Sequence, residues 1–207
     1  MPPGQNSGMA SRDFDRRLWW LDEVAHAGPE HLDADYVAGY DQKSPTEWAE
    51  EVAALRALGI DSTSTVVDIG PGTGTFARAI APHVARVVAV DISQAMVARM
   101  QELGIEAVRA GFLTYEHAGA RPDAVFTRNA LHHLPDFWKA ISLRRIAALL
   151  RPGGVFMLEG LVYSFEPGEA STTIADWLAA APTLLTRASS HRQVAEAARI
   201  RVRAMRA

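Results

Sequence analysis

Val66–Ile80, VVDIGPGTGTFARAI, decides how the chain is read. Its β-branched start reads as a strand, and its end carries the apolar spacing of a helix. Between them Gly70, Gly72 and Gly74 occupy alternate positions, with Asp68 two residues before the first. Glycine accepts backbone angles that other residues resist, and it lacks the β-carbon that would keep a ligand off the main chain. Where a strand hands over to a helix, such a run reads as a cradle, with Gly74 letting the helix pack close.

Working outward, short β-branched runs at 65–69, 86–90, 105–109, 123–127 and 154–158 alternate with helical stretches at 74–82, 93–102 and 136–150. This alternation predicts an α/β fold, a Rossmann-like and mostly parallel sheet with helices on both faces. Pro152-Gly153-Gly154 makes the turn into the last of these strands. Upstream, Arg12–Ala27 reads as a helix with Trp19, Trp20 and Val24 on its apolar face, broken by Gly28-Pro29. Ser44-Pro45-Thr46-Glu47 reads as the start of a second helix running to Leu58, stopped by Gly59. The chain thus divides into a disordered leader (1–12), an N-terminal helical cap (13–60), a core (61–186) and an Arg/Ala-rich tail (187–207) read as a solvated helix or frayed end.

Length and composition narrow the function classes. The 207 residues suffice for one full-sized core, and the 48% hydrophobic content is that of an ordinary globular protein. With no cysteine there is no disulfide scaffold, thiolate metal site or thiol nucleophile, which fits a reducing cytoplasm. No apolar run approaches the ~20 residues that span a bilayer, so no membrane role is expected. Residues 187–207 hold six arginines and one acid, which leaves 15 basic against 23 acidic residues in the body before them, a charge of −8. An acidic body argues against a nucleic-acid platform, because phosphate contacts need clustered Lys and Arg.

The glycine spacing also speaks to the ligand. A dinucleotide fingerprint reads G-x-G-x-x-G, with its pyrophosphate on the helix N-terminus. Here the spacing is G-x-G-x-G, and the carboxylate of Asp68 is a poor neighbour for a pyrophosphate but a good one for a cationic amino acid group. Asp91 ends the next strand, VVAVD, where a carboxylate can accept both hydroxyls of a ribose. Together these describe a nucleoside carrying a positive aminoacyl tail.

At this point the sequence resembles the Class I S-adenosylmethionine-dependent methyltransferases of the small-molecule type. Val66–Thr75 is similar to the family's glycine-rich first motif and Val87–Ser93 to its second. TRNALHHLPDFW (Thr127–Trp138) resembles the segment after strand four, and LLRPGGVFMLEG (Leu149–Gly160) the turn into strand five. The resemblance covers residues 30–170 and implies S-adenosylmethionine as cofactor. It places Gly70, Gly72 and Gly74 beside that cofactor, Asp68 near its amino group and Asp91 on its ribose. Ile92 and Met96 would touch the adenine, the backbone of Asn129 would face the methionine moiety, and Tyr36 or Tyr40 would close over it. The family often carries Gly-Asp-Phe after strand three; VRAGFL has Gly111 in place of that Asp, which leaves adenine recognition to backbone and apolar contacts around Gly111 and Phe112, or to a residue elsewhere that the sequence does not place. Members also normally finish with an antiparallel strand hairpin. Beyond Gly160 two convincing strands are missing, so the hairpin is expected to be incomplete and the tail truncated, frame-shifted or degenerate.

The function that follows is methyl transfer to an O, N or C atom of a small-molecule acceptor. A weakly acidic acceptor needs a base near neutral pH, and His133 and His132, after strand four, are the catalytic candidates because histidine titrates there. Packing or lining roles compete for both. Asp136 is read as the cap of the following helix, and no third ligand stands at metal spacing from the histidines. Two readings stand against an enzyme of this kind. One is a nicotinamide-dependent oxidoreductase, disfavoured by glycine spacing and the lack of a Tyr-x-x-x-Lys pair. The other is a non-catalytic scaffold that retains the cofactor fold. RNA methylation is weaker still.

Overall fold

The computed structural model describes residues 20–40, 47–160, 167–169, 171–172 and 175–176, together with the backbone of 202–206. The leader 1–12 and most of the tail lie outside the described residues. Five parallel strands, β1 (Thr65–Ile69), β2 (Arg86–Asp91), β3 (Ala107–Arg109), β4 (Ala124–Arg128) and β5 (Val155–Glu159), form the sheet with a sixth, β6 (Val202–Arg206). Their order is β3-β2-β1-β4-β5-β6, so the chain reverses direction across the sheet between β1 and β4. That reversal opens a crevice at the carboxyl edge, the place where such sheets take ligands.

Strand alternation sends neighbouring side chains to opposite faces. Val67, Ile69, Val88 and Val90 pack with Leu131, Ile146 and Leu150 on one side. That face is covered by α5 (Asp136–Leu149). On the other side Val66, Val155 and Met157 meet Val52, Leu55, Phe76 and Ile80 from α2 (Ala49–Ala57) and α3 (Thr75–Ile80). There Phe76 stacks on Phe126 with ring centroids 3.9 Å apart. Next to it, α4 (Gln94–Glu102) buries Met96, Val97 and Met100 against Val37, Ala77 and Ala89. Both faces are covered, which is why the strands read as continuous apolar runs. No described helix is long and apolar enough to cross a membrane.

Three expectations are corrected. The described part of Arg12–Ala27 is not an α-helix but a bend and turn ending in a 3₁₀ turn, Val24–His26. The second cap helix begins at Ala49, since Glu47 and Trp48 are non-helical; Ser44–Thr46 lie outside the described residues. A separate short helix, α1 (Ala34–Ala38), is capped by Asp33, whose side chain accepts from the Tyr36 amide at 2.8 Å. Lastly, the basic tail is not merely solvated: Val202–Arg206 pairs antiparallel with β5, Phe156 opposite Met205, with an irregularity between Phe156 and Leu158. The open edge of β5 offers a ladder of backbone donors and acceptors, and that context outweighs weak strand propensity. One antiparallel strand, not a hairpin, follows β5 among the described residues.

The turn after β1 is held by close packing. Gly70 has φ +73°, donates its amide to the Val90 carbonyl at 2.8 Å, and faces Ala130 so closely that a β-carbon would overlap that residue's own. Gly59 is also left-handed, at φ +94°, but has open space around it. Gly59→Ala should therefore cost only the backbone strain, ~1 kcal/mol. Gly70→Ala adds an overlap with an alanine that has no rotamer to move to, for a total of roughly 3 kcal/mol. Thermal denaturation should show a melting-temperature drop about three times larger for Gly70→Ala; equal drops would mean that the contact with Ala130 is slack.

Candidate functional site

The carboxyl ends of the strands bring two acids side by side. Asp68, in β1, is 1% exposed, and among the described residues its Oδ2 has no hydrogen-bond partner. Burial, and then the nearby charge of Asp91, holds its carboxyl well above the usual carboxylate range. Asp91, the last residue of β2, is 9% exposed and accepts the Ser93 amide at 2.8 Å. The amides of Gly72 and Ile92 also donate to it, yet burial still pushes its carboxyl up to about 6. Buried carboxylates are ordinarily paired. Here the described residues place no cation between them, so the pair is suited to a partner that brings positive charge and hydroxyl donors.

Around the acids the loop is more crowded than a bare cradle. Ala130 fills the space beside Gly70, and the Tyr40 ring lies 3.3 Å from where a β-carbon on Gly72 would stand. Gly74 is closed in by Ile105 and Met100, in keeping with close helix packing. The missing β-carbons at 70 and 72 thus admit other parts of the chain, and Tyr40 roofs the loop. Asn129 sits at the β4 tip, exposed, with φ +52°, the only non-glycine in the left-handed region among the described residues. Its amide donates to the Glu159 carbonyl at 2.9 Å. Such strain costs of order 1 kcal/mol or more and gathers at functional edges.

Above the loop stands an aromatic group whose members come from distant parts of the chain. The His31 ring is 5.8 Å from Tyr36, 5.9 Å from Tyr40 and 6.0 Å from His133, centroid to centroid. His133 is half-buried in this group, and its amide donates to Ala130, the residue against Gly70. His132 is exposed; desolvation, then the charges of His133, Lys139 and His31, keep its ring below the ordinary histidine value. Ser93 ties this roof to the core, its hydroxyl donating to the His31 carbonyl at 2.7 Å and accepting the Met96 amide that starts α4.

Other expected site residues are placed differently. Ile92 is half-buried beside Asp91. Met96 is 2% exposed within the α4 cluster, and the Phe112 side chain packs against the sheet. At Gly111 the room for a side chain is taken by the carboxylate of Glu23. Asp136 does not cap α5: it is that helix's first residue and pairs with Lys139 at 2.9 Å, while Pro135 stands at the cap without a side-chain bond. No cluster of three metal-ligating side chains occurs among the described residues.

Sequence reasoning missed Glu23, His31 and a cluster at the β4 and β5 tips. Arg128 lies 3.4 Å from Glu51 and 3.6 Å from Glu159, with its guanidinium 4.8 Å from the Trp48 ring centroid. Trp48 in turn donates to Thr75 at 3.0 Å. This network fixes α2 against the site edge. No local pattern marks the Arg128 cluster, because its partners lie 27 to 80 positions apart in the chain.

The family profile described as a methyltransferase domain matches residues 40–201. An uncharacterised methyltransferase of Mycobacterium bovis is 36% identical over 106 residues, 49% of this chain and 53% of the relative. The C-methyltransferase NovU of Streptomyces niveus is 29% identical over 158 residues, 69% of this chain and 36% of the relative. This chain therefore spans about half, or less, of the length of these curated relatives. Among solved structures, the complex of DhpI with SAM and HEP superposes with a TM-score of 0.56 at 21% identity, covering 72% of this chain and 71% of that one, a likeness of fold.

The acids set a pH signature. A carboxyl raised in the fold is a cost that is absent below its unfolded value, 3.8 for Asp91, and complete above about 6. Asp91→Asn should therefore leave stability at pH 3 nearly unchanged and raise it at pH 7, by up to ~3 kcal/mol. Denaturant titrations of both proteins at the two pH values measure this. A variant less stable than the parent at pH 7 would contradict the arrangement.

Proposed function

The chain belongs to the methyltransferase-domain family, and on that footing we propose that it moves a methyl group from S-adenosylmethionine to an O, N or C atom of a small-molecule acceptor. The observation that carries the reading is the buried Asp68 carboxyl, whose Oδ2 has no hydrogen-bond partner among the described residues, beside Asp91 on the neighbouring strand tip. Asp68 receives the cofactor's amino group, and Asp91 the hydroxyls of its ribose. The turn at Gly70 and Gly72 and the strained backbone of Asn129 border its aminoacyl end. An acid where a pyrophosphate would lie leaves a nicotinamide dinucleotide disfavoured.

When bound, the cofactor supplies a methyl group on a positive sulfur, displaced in line by the acceptor. The residues of this chain hold the alignment and keep the site dry, which accounts for a large share of such a rate enhancement. Tyr40 and Tyr36 exclude water from above the loop. His133 takes the acceptor's proton, with His31 beside it; the exposed His132 is outside that role. The acidic body fits a small acceptor better than RNA, and the cysteine-free composition fits a cytoplasmic setting.

Calorimetry with S-adenosylhomocysteine tests the reading. Binding should tighten as the pH rises and Asp68 ionises, and Asp68→Asn should weaken it ~10–100-fold and reduce the pH slope. Binding of NADH with no binding of S-adenosylhomocysteine would overturn the assignment.

A screen of phenols, enols and amines with labelled methyl donor then tests the base. For a phenol or enol that turns over, His133→Ala should lower kcat ~10²–10⁴-fold with cofactor affinity within about twofold, and His132→Ala should do little. Full activity in His133→Ala would remove it from catalysis.

A further inference from the structure

The turn after β3 raises a question of its own. Gly111 is not among the glycines with positive φ, so its backbone does not require glycine. What requires it is Glu23. A β-carbon at 111 would fall on the Glu23 carboxylate, 2.5 Å from its carbon and 2.6 Å from Oε2. The acid comes from the N-terminal segment, 88 positions away in sequence. It is 6% exposed, and Oε2 accepts the Leu113 amide at 3.1 Å and the Thr114 hydroxyl at 3.3 Å. The Phe112 amide also donates to it, and Arg145 stands near, bonded to the carbonyls of Phe112 and Tyr115. The side chain at 111 is therefore a carboxylate in all but covalent connection.

Its place relative to the other acids follows from the sheet. β3, β2 and β1 are adjacent in that order, and the Ala110 amide donates to the Asp91 carbonyl at 3.0 Å. Asp68, Asp91 and Glu23 thus stand in line along one edge, at the tips of three successive strands. An elongated nucleoside whose amino acid end lies at Asp68 and whose ribose lies at Asp91 extends its base toward the third tip. An ionised carboxylate offers about four acceptor sites. The three donors of the turn leave room for one more, and acceptor capacity at a base's end selects a base with an exocyclic amino group.

We propose that Glu23 is the base-reading residue of the cofactor site, accepting a hydrogen bond from the 6-amino group of adenine in the place left by Gly111. The inference rests on the cofactor reading above. It also makes the N-terminal segment part of the binding site: the turn that brings Glu23 must be docked for the base to be read.

The test compares S-adenosyl-L-homocysteine with S-inosyl-L-homocysteine, whose 6-oxygen accepts where the amino group donates. Wild-type protein should prefer the adenosyl compound at least ~30-fold by calorimetry. Glu23→Gln keeps an acceptor for the turn amides and adds a donor, so the preference should fall below about fivefold with little change in melting temperature. The double variant Glu23→Ala with Gly111→Asp should restore most of the preference, a rescue that no role as a turn cap predicts. If Glu23→Gln keeps the full preference, or the double variant fails to rescue it, Glu23 is a cap and the proposal is wrong. If the wild-type protein binds neither compound, the cofactor reading itself fails.

Discussion

Two carboxylates buried side by side at neighbouring strand tips are the constraint on which the rest of the structure depends. Asp68 is almost wholly inaccessible, and Asp91 spends backbone amides of the glycine loop and the α4 start without reaching an ordinary acidity. A fold optimised for stability alone would replace both with apolar or neutral residues. The crossover between β1 and β4 and the covered sheet faces place this cost at the edge where a ligand can reach it. The pair makes sense as a receptor for a cationic nucleoside, whose binding offsets what the empty fold bears.

The N-terminal segment is the second half of that receptor. His31 is held to Ser93, Tyr40 roofs Gly72, and Glu23 occupies the side-chain space of Gly111. Each contact joins the segment to a different strand tip, so residues 20–40 pack across the carboxyl edge of the sheet. The same segment carries His31 toward His133, so the proposed proton acceptor is completed by the layer that covers the cofactor.

Much of the core was legible because its signals are local. The β-branched run at 65–69 coincides with β1, and the remaining parallel strands differ by one or two residues. β3 is shorter than its apolar run because Ile105 turns back to donate to Met100 at the end of α4. What stayed hidden depends on distant partners. Val202–Arg206 is a strand because β5 offers an edge, not because of its own composition. Glu23 lies in a stretch read for its apolar face, Trp19, Trp20 and Val24, and acquires meaning only beside Gly111. Asp136 falls one position inside α5, since Pro135 holds the cap.

The central claim is most directly tested by carbon-13 NMR titration of the aspartate carboxyls, with Asp68→Asn and Asp91→Asn used to assign the two resonances. The account predicts that the Asp68 carboxyl of the ligand-free protein titrates well above the usual aspartate range, and that S-adenosylhomocysteine moves it sharply downward as an ammonium arrives beside it. Two ordinary titrations, unmoved by the ligand, would contradict it.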